Sequence, residues 1–319
     1  MYRQPPLINY INVLFDNGGL GDLIAAMPAF RFIYEKHPHV HVYVWIPDFF
    51  YDFAKACLKG TENRILLGKW SQGADGFKSG YHSVSFRNNH YTNLAQHMTE
   101  HAFHLICNTV PDDKNYLNYL QPNLSKINID EFKLPEKYVV ITTGFTAKVR
   151  EFLPRHINTI SQYVLDKGFT PVFLGKKETP SGLKFVIKGK FNTEINYDSG
   201  INLIDKTTLL QATLICSKAA AVVGLDNGIL HLASCTDVPI VGGFTTVKPE
   251  HRVPYRDGVK GKNYFAVVPP ESLKCRFCQS NWNFSFENVF TECKYEDYTC
   301  LSELGADLYI KELEKVLNV

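Results

Sequence analysis

Two short segments of the 319-residue chain place chemically capable side chains beside glycine turns. In the first, an apolar run from Val13 to Phe15 leads to Gly18, Gly19 and Gly21, and Asp22 is the first residue after the last glycine. Leu23, Ile24, Met27, Phe30 and Ile33 then recur at helical spacing. A strand, a glycine turn and a helix usually seat a phosphate on the helix N-terminus, and a carboxylate at that place would repel one. Asp22 suits a base instead. It needs hydrogen-bond reach to an incoming hydroxyl and an ionised form near neutral pH, which helix N-terminal N–H groups favour. The same carboxylate could serve only as a helix cap, worth about 0.5–2 kcal/mol. The third glycine of a dinucleotide fingerprint is absent, Ile24 standing in its place, which argues against a nicotinamide enzyme.

The second segment is "VVGLDNGILHLASCTDVPIVGGF". A strand ends in Asp226-Asn227-Gly228 and a helix starts at once. The N–H groups of Gly228, Ile229 and Leu230 are expected to point into a cleft, with the positive end of the helix dipole behind them and His231 one turn in. That is an anion site, and Asp226 or Asn227 can cap the helix. Lys148 and Arg150, after "TTGFTA", could neutralise a diphosphate. Glu178, closing "GKKE", could hold the ribose or base. With the nucleotide on this half, the early glycines are free to approach a different ligand, which Asp22 faces across the gap.

The elements needed to position these groups are legible as two βα series. Strand 9–16, helix 22–36, strand 39–47 and helix 49–60 come first; a polar stretch, 60–93, has weak periodicity; a helix over 92–110 and an irregular linker follow. The alternation restarts at 138 with strands ending near 145, 178, 205, 226 and 245 and helices between them. Such alternation argues for doubly wound parallel sheets with ligands at the carboxyl ends of the strands. The expected division is a first domain over 1–135, a second, nucleotide-holding domain over 136–302 with a cysteine-bearing loop near 275–300, and a last helix over 303–319.

Taken together, "GGLGDLIAAMPAFRFIYEKHP" and the second segment resemble the heptosyltransferase-like glycosyltransferases, glycosyltransferase family 9. The matching positions are Gly21, Asp22 and Pro28 in the first motif, and Asp226, Gly228, His231 and Ala233 in the second. The resemblance implies a GT-B fold, two Rossmann-like domains facing across a cleft, with the last helix crossing back to the first domain. It also implies inverting, metal-independent transfer from a nucleotide-diphosphate sugar, with Asp22 as base and 226–228 holding the diphosphate. Two positions depart from the pattern. Asn227 replaces threonine, and "KVREFLP" sets Lys148 six and Arg150 four residues before Pro154, so either cation could serve the phosphates.

Composition narrows the rest. Lys+Arg total 34 against 32 Asp+Glu, a formal charge of +2, so no nucleic-acid or membrane partner is demanded. No apolar run reaches the roughly 18–20 residues of a spanning helix, "MYRQPPLINY" lacks a signal-like apolar stretch, and the expected compartment is the cytoplasm. Basic residues interleave with aromatics over 63–97 and again over 248–265, where Arg252, Tyr255, Arg256, Lys260 and Lys262 lie. Such surfaces suit an anionic acceptor: first a lipopolysaccharide-core-like glycan or glycolipid, otherwise nucleic acid with a hydroxylated base. Cys275, Cys278, Cys293 and Cys300, spaced C-x2-C-x14-C-x6-C, could hold a structural zinc. His97, His101 and His104 share a helix face and read as a half-buried face rather than a metal site. A nucleotide-sugar epimerase or a non-catalytic nucleotide-sugar-binding protein are the rival readings. The sequence does not name the sugar or the oligomeric state.

Overall fold

The computed structural model describes residues 9–15, 19–72, 82–85, 96–144, 147–177, 194–280, 293 and 295–318. The first half runs β1 (Asn9–Leu14), α1 (Leu20–Lys36), β2 (Val40–Ile46), α2 (Tyr51–Cys57), β3 (Ile65–Lys69), β4 (His82–Ser85) and α3 (Met98–Cys107). The second half opens with β5 (Tyr138–Thr142), α4 (Pro154–Asp166), β6 (Thr170–Leu174), β7 (Ile201–Asn202), α5 (Leu209–Lys218), β8 (Ala221–Leu225), α6 (Gly228–Ser234) and β9 (Ile240–Gly243). It ends with β10 (Tyr255–Arg256), β11 (Val259–Lys260), β12 (Tyr264–Val267), α7 (Thr299–Glu303) and α8 (Ala306–Leu317).

Both large sheets are parallel, ordered β3-β2-β1-β4 and β12-β9-β8-β5-β6-β7. In each, the chain steps outward from a first strand and then returns to that strand's other side. The strand order therefore reverses between β1 and β4 and between β5 and β8, and ligands of such sheets bind outside the carboxyl ends at the reversal. The Gly19–Asp22 turn follows β1. Arg150 follows β5 and Asp226 follows β8. Both sequence segments thus sit where a doubly wound sheet opens.

The strands that carry the second site are buried on both faces. Every residue of β5, β8 and β9 is buried, which accounts for their near-continuous apolar runs. The helical apolar set Leu23, Ile24, Met27, Phe30 and Ile33 is buried throughout. One core cluster runs from these side chains through α3 into Leu230, Leu232 and Ala233 of α6, so the two halves share apolar packing.

Three differences from the sequence reading have physical causes. The weakly periodic stretch 60–93 contains β3 and β4, the two edge strands of the first sheet; in β3 only Ile65 is buried, so burial imposes little period on it. The Asp257-Gly258 pair joins β10 and β11 with both residues at positive φ, 49° and 71°, the tight-hairpin geometry that this dipeptide favours. The last helix, α8, packs on the second sheet: Tyr309 and Leu313 are fully buried in the cluster that holds Val223, Leu225 and Val241, with α4 alongside, so its apolar face is directed to its own half.

Candidate functional site

The carboxyl end of β8 delivers Asp226 into a buried position, only 6% exposed, its backbone N–H held by the Gly243 carbonyl. Three side chains from three different segments converge on its carboxylate. His231 Nε2, one turn into α6, lies 3.4 Å from Oδ1. Arg150 Nη1, from the single 3-10 turn after β5, is 3.7 Å from Oδ2, and Arg252 Nε, from the turn after β9, is 3.9 Å from the same oxygen. Burial alone would raise the Asp226 pKa; the His231 bond and the charges of Arg150 and Arg252 outweigh it and hold the carboxyl well below the usual carboxylate range. The Arg150 turn is itself pinned, because Thr245 donates its hydroxyl to the Val149 carbonyl at 2.7 Å. Two polar atoms of this cluster, Arg150 Nε and His231 Nδ1, are buried with no hydrogen-bond partner among the described residues. Groups left in that condition cost about 1–3 kcal/mol each, and a polar ligand seated there would relieve them.

The helix N-terminus behaves differently from the sequence expectation. Asn227 Oδ1 accepts the N–H groups of Ile229 and Leu230, at 2.9 and 3.2 Å, while its Nδ2 donates to the Thr142 hydroxyl at 2.8 Å. Of the three N–H groups expected to face an anion, two are therefore capped. The amide that replaces threonine fills the helix end with its own oxygen and ties it to β5. The positive charge gathered here is carried by side chains, Arg150 and Arg252.

On the facing side, Asp22 is half-buried in the first turn of α1, where its Oδ2 accepts the Gly19 N–H at 2.8 Å. It therefore caps its helix, which orients the carboxylate without excluding a further contact. Gly21 has a sharper reason to be glycine. A Cβ built there would stand 2.5 Å from His231 Cδ2 and 2.8 Å from Nε2. The backbone at Gly21 lies directly on the imidazole, and Gly228 in turn lies on the Leu20 side chain, where a Cβ would be at an ordinary 3.5 Å. The two glycine turns thus touch each other, and Asp22 is one residue from that seam.

The remaining predicted residues separate. Lys148 and Arg150 share one turn but diverge, Lys148 Nζ lying over the Tyr298 ring at 4.5 Å while Arg150 turns to Asp226. Gly18 and Glu178 lie outside the described residues. The basic stretch over 248–265 divides: Lys260 and Lys262 are exposed, whereas Arg252 and Arg256 are buried. Arg252 is buried against Asp226; Arg256, 6% exposed, donates to the carbonyls of Ala233, Val238 and Lys262, capping the C-terminal end of α6; Lys260 and Lys262 pair with Glu100 and Asp257. Sequence reasoning assigned Arg252 to that surface and so missed its place in the cluster; its position in the loop that leaves β9, at a strand's carboxyl end, was the available signal. Of the stretch over 63–97, Arg64 packs on the Tyr34 ring and Lys69 on Tyr51, and residues 73–81 and 86–95 lie outside the described residues.

His97 and His101 are buried and His104 is exposed. The four C-terminal cysteines lie close enough to act on one another: burial first, then the neighbouring thiols, pushes Cys278 up to about 11 and Cys300 to about 12, and raises Cys275. Their arrangement does not meet a zinc cage, since no group of three or more His, Cys, Asp or Glu among the described residues is placed to hold a metal ion. No helix among them is long and apolar enough to cross a membrane.

Comparison with known proteins adds a family and a fold. The profile of Glycosyltransferase family 9 (heptosyltransferase) matches residues 64–264. Among solved structures, the iron-containing dodecameric glycosyltransferase TibC from enterotoxigenic E. coli H10407 superposes with a TM-score of 0.70 at 14% identity, over 97% of this chain and 76% of that one. A family 9 glycosyl transferase from Veillonella parvula gives 0.64 at 15% identity over 99% of both chains. The ADP-heptose lps heptosyltransferase II of E. coli gives 0.62 at 14%, over 97% of this chain and 98% of that one. The fold is therefore GT-B. No curated protein matches the sequence.

Proposed function

The chain belongs to glycosyltransferase family 9, the heptosyltransferases, and from that premise we propose that Asp22 and the Asp226 cluster are the two sides of one active site for inverting sugar transfer. The enzyme is a glycosyltransferase that uses a nucleotide sugar. In our reading the first half, residues 1–135, receives the acceptor, and 136–302 hold the donor. The observation that carries this is the contact of Gly21 with His231, which brings the turn bearing Asp22 against the cluster around Asp226.

The step follows from that arrangement. Asp22 takes the proton of an acceptor hydroxyl as its oxygen attacks the anomeric carbon from the face opposite the nucleotide. The new C–O bond forms as the bond from the anomeric carbon to the diphosphate oxygen breaks, and its electron pair leaves with the diphosphate. The transition state has oxocarbenium character. Negative charge grows on the departing oxygens, and Arg150, Arg252 and His231 are fixed in advance to receive it. Asp226 sets the geometry of these three, and Asn227 and Gly228 hold the start of α6 so that His231 stays in register. Arg150 is the better diphosphate partner than Lys148, because a guanidinium can bind two oxygens at once.

The donor to test first is ADP-linked, since heptosyltransferase II is an ADP-heptose enzyme. The acceptor class we infer is an anionic, lipopolysaccharide-core-like glycan, and the compartment the cytoplasm, in keeping with eight cysteines that are all free thiols. Mass spectrometry of acceptor glycans after incubation with ADP-sugars tests the reading. Sugar transfer abolished by Asp22→Asn is the expected result; consumption of donor without any acceptor would instead indicate an epimerase.

A further inference from the structure

The histidine face of α3 holds a residue that the transfer step does not use. His97 is 2% exposed and both of its ring nitrogens are engaged. Nδ1 accepts the Thr99 N–H at 3.2 Å, making His97 the N-cap of α3. Nε2 donates to the Val253 carbonyl at 2.8 Å. The first bond lies within the first half of the chain, while the second reaches into the turn that follows β9. Two bonds on opposite sides of one ring fix both its tautomer and its plane.

That turn is gripped at further points. The Tyr255 ring stands edge-on to His97 with centroids 4.9 Å apart, and its hydroxyl donates to Glu100 Oε1 at 2.5 Å, one turn along α3. Lys260 Nζ lies 3.4 Å from the same oxygen. Tyr119 N–H donates to the Tyr255 carbonyl at 3.2 Å, and Gly258 N–H to Asn118 Oδ1 at 2.8 Å. The residue immediately before Val253 is Arg252, whose Nε is 3.9 Å from Asp226. At that distance the pair stands at the outer limit of an ion pair, and a backbone displacement of about 1 Å would take it out of contact.

We propose that His97 is a positioning residue for the donor site: by holding the Val253 carbonyl it sets Arg252 beside Asp226, and so ties nucleotide binding to the place of α3. The proposal rests on the reading of the Asp226 cluster as the diphosphate site. It predicts that the two ring nitrogens have separable duties. Asparagine reproduces the acceptor at Nδ1 and caps helices well, but is too short to reach Val253. Glutamine places an amide N–H where Nε2 stood, and is a poor cap.

The test titrates ADP, GDP, UDP and CDP into the full chain by calorimetry, and carries the tightest binder through His97→Asn, His97→Gln, Arg252→Lys and the pair His97→Asn with Arg252→Lys, with urea midpoints measured on each. Expected for His97→Asn is a loss in nucleotide affinity of about fivefold or more, together with some loss of stability because the Val253 carbonyl loses its donor. Expected for His97→Gln is near-wild-type affinity at lower stability, and for the pair no further loss beyond Arg252→Lys. If His97→Asn does not fold, the affinity of His97→Gln decides: wild-type-like supports the assignment and weakened overturns it. Affinities that follow stability across both variants, or a His97→Asn loss undiminished beside Arg252→Lys, would overturn it and leave the proposed function standing. A wild-type chain that binds none of the four nucleotides at millimolar concentration would remove both.

Discussion

Gly21→Ala is the perturbation that bears most directly on the seam between the two glycine turns. The added methyl would sit 2.5 Å from His231 Cδ2, 2.8 Å from Nε2 and 3.0 Å from Cγ. Carbon contacts settle at about 3.5–4.0 Å, so the ring must retreat by about 1 Å or α1 must lift from α6. The ring has little room: it is 8% exposed, with Asp226 on one side and Tyr119 beside it at 6.4 Å between centroids. Crowding of this kind costs about 1–3 kcal/mol, partly offset by up to about 1 kcal/mol of better helix propensity. Net stability should fall by no more than about 3 kcal/mol. The displaced imidazole leaves Asp226, however, and if the whole crowding cost falls on the transition state, kcat/KM drops by about 5- to 150-fold. Gly228→Ala is the matched control for stability, because its methyl would meet Leu20 at 3.5 Å in ordinary contact. Sugar transfer and urea unfolding would be measured on both. A Gly21→Ala enzyme with wild-type kcat/KM would show that the imidazole and the first glycine turn do not meet in the working enzyme, and the argument for one shared site would go with it.

Other expectations follow from the same geometry. Asp22→Asn should lower turnover by at least ~100-fold with nucleotide binding little changed, as befits loss of a general base; turnover within a few-fold of wild type would remove Asp22 from the step. Arg150→Met should weaken nucleoside diphosphate binding more than Lys148→Met does, since Arg150 faces Asp226 and Lys148 stacks on Tyr298; calorimetry giving the reverse order would reassign the cation. His97 should impose a pH slope on stability. Burial first, then the charges of Lys260 and Arg252, holds it down to about 4 against an ordinary 6.5, with the Val253 bond and Glu100 acting the other way. The unfolded chain therefore takes up a proton below about 6.5 that the folded one refuses, so this contribution is complete above that pH and declines by about 3 kcal/mol by pH 4. Urea unfolding from pH 7 to 4.5 should show a shallower decline for His97→Asn, and parallel curves would contradict the assignment.

Much of the candidate site is legible in the order of residues alone, because its signals are local. Asp22 and Asp226 each end a strand–turn–helix unit, and the turn, the apolar period and the strand boundary are all written in adjacent residues. The same holds for the buried strands β5 and β8 and for α1, whose patterns reflect burial that every neighbouring residue shares. The edge strand β3 escapes such reading because only Ile65 of its five residues is buried, so burial leaves no period in it. The role of Asn227 is half legible: its capping chemistry is local, but the partner that fixes its orientation, Thr142, lies 85 residues away.

What the sequence by itself determined, then, is the kind of chain this is: two βα series, each with a carboxylate beside glycine where a strand passes into a helix, with enough family pattern to name the fold. Which cation meets Asp226, that Arg252 is a buried part of the cluster and not an acceptor-facing surface charge, that Gly21 lies on His231, and that His97 reaches Val253 were decided only by tertiary structure. Each of these is a contact between segments dozens to hundreds of residues apart, set by the order of strands in the sheets and the packing of helices between the two halves. Side-chain type and local spacing carry no record of such a pairing.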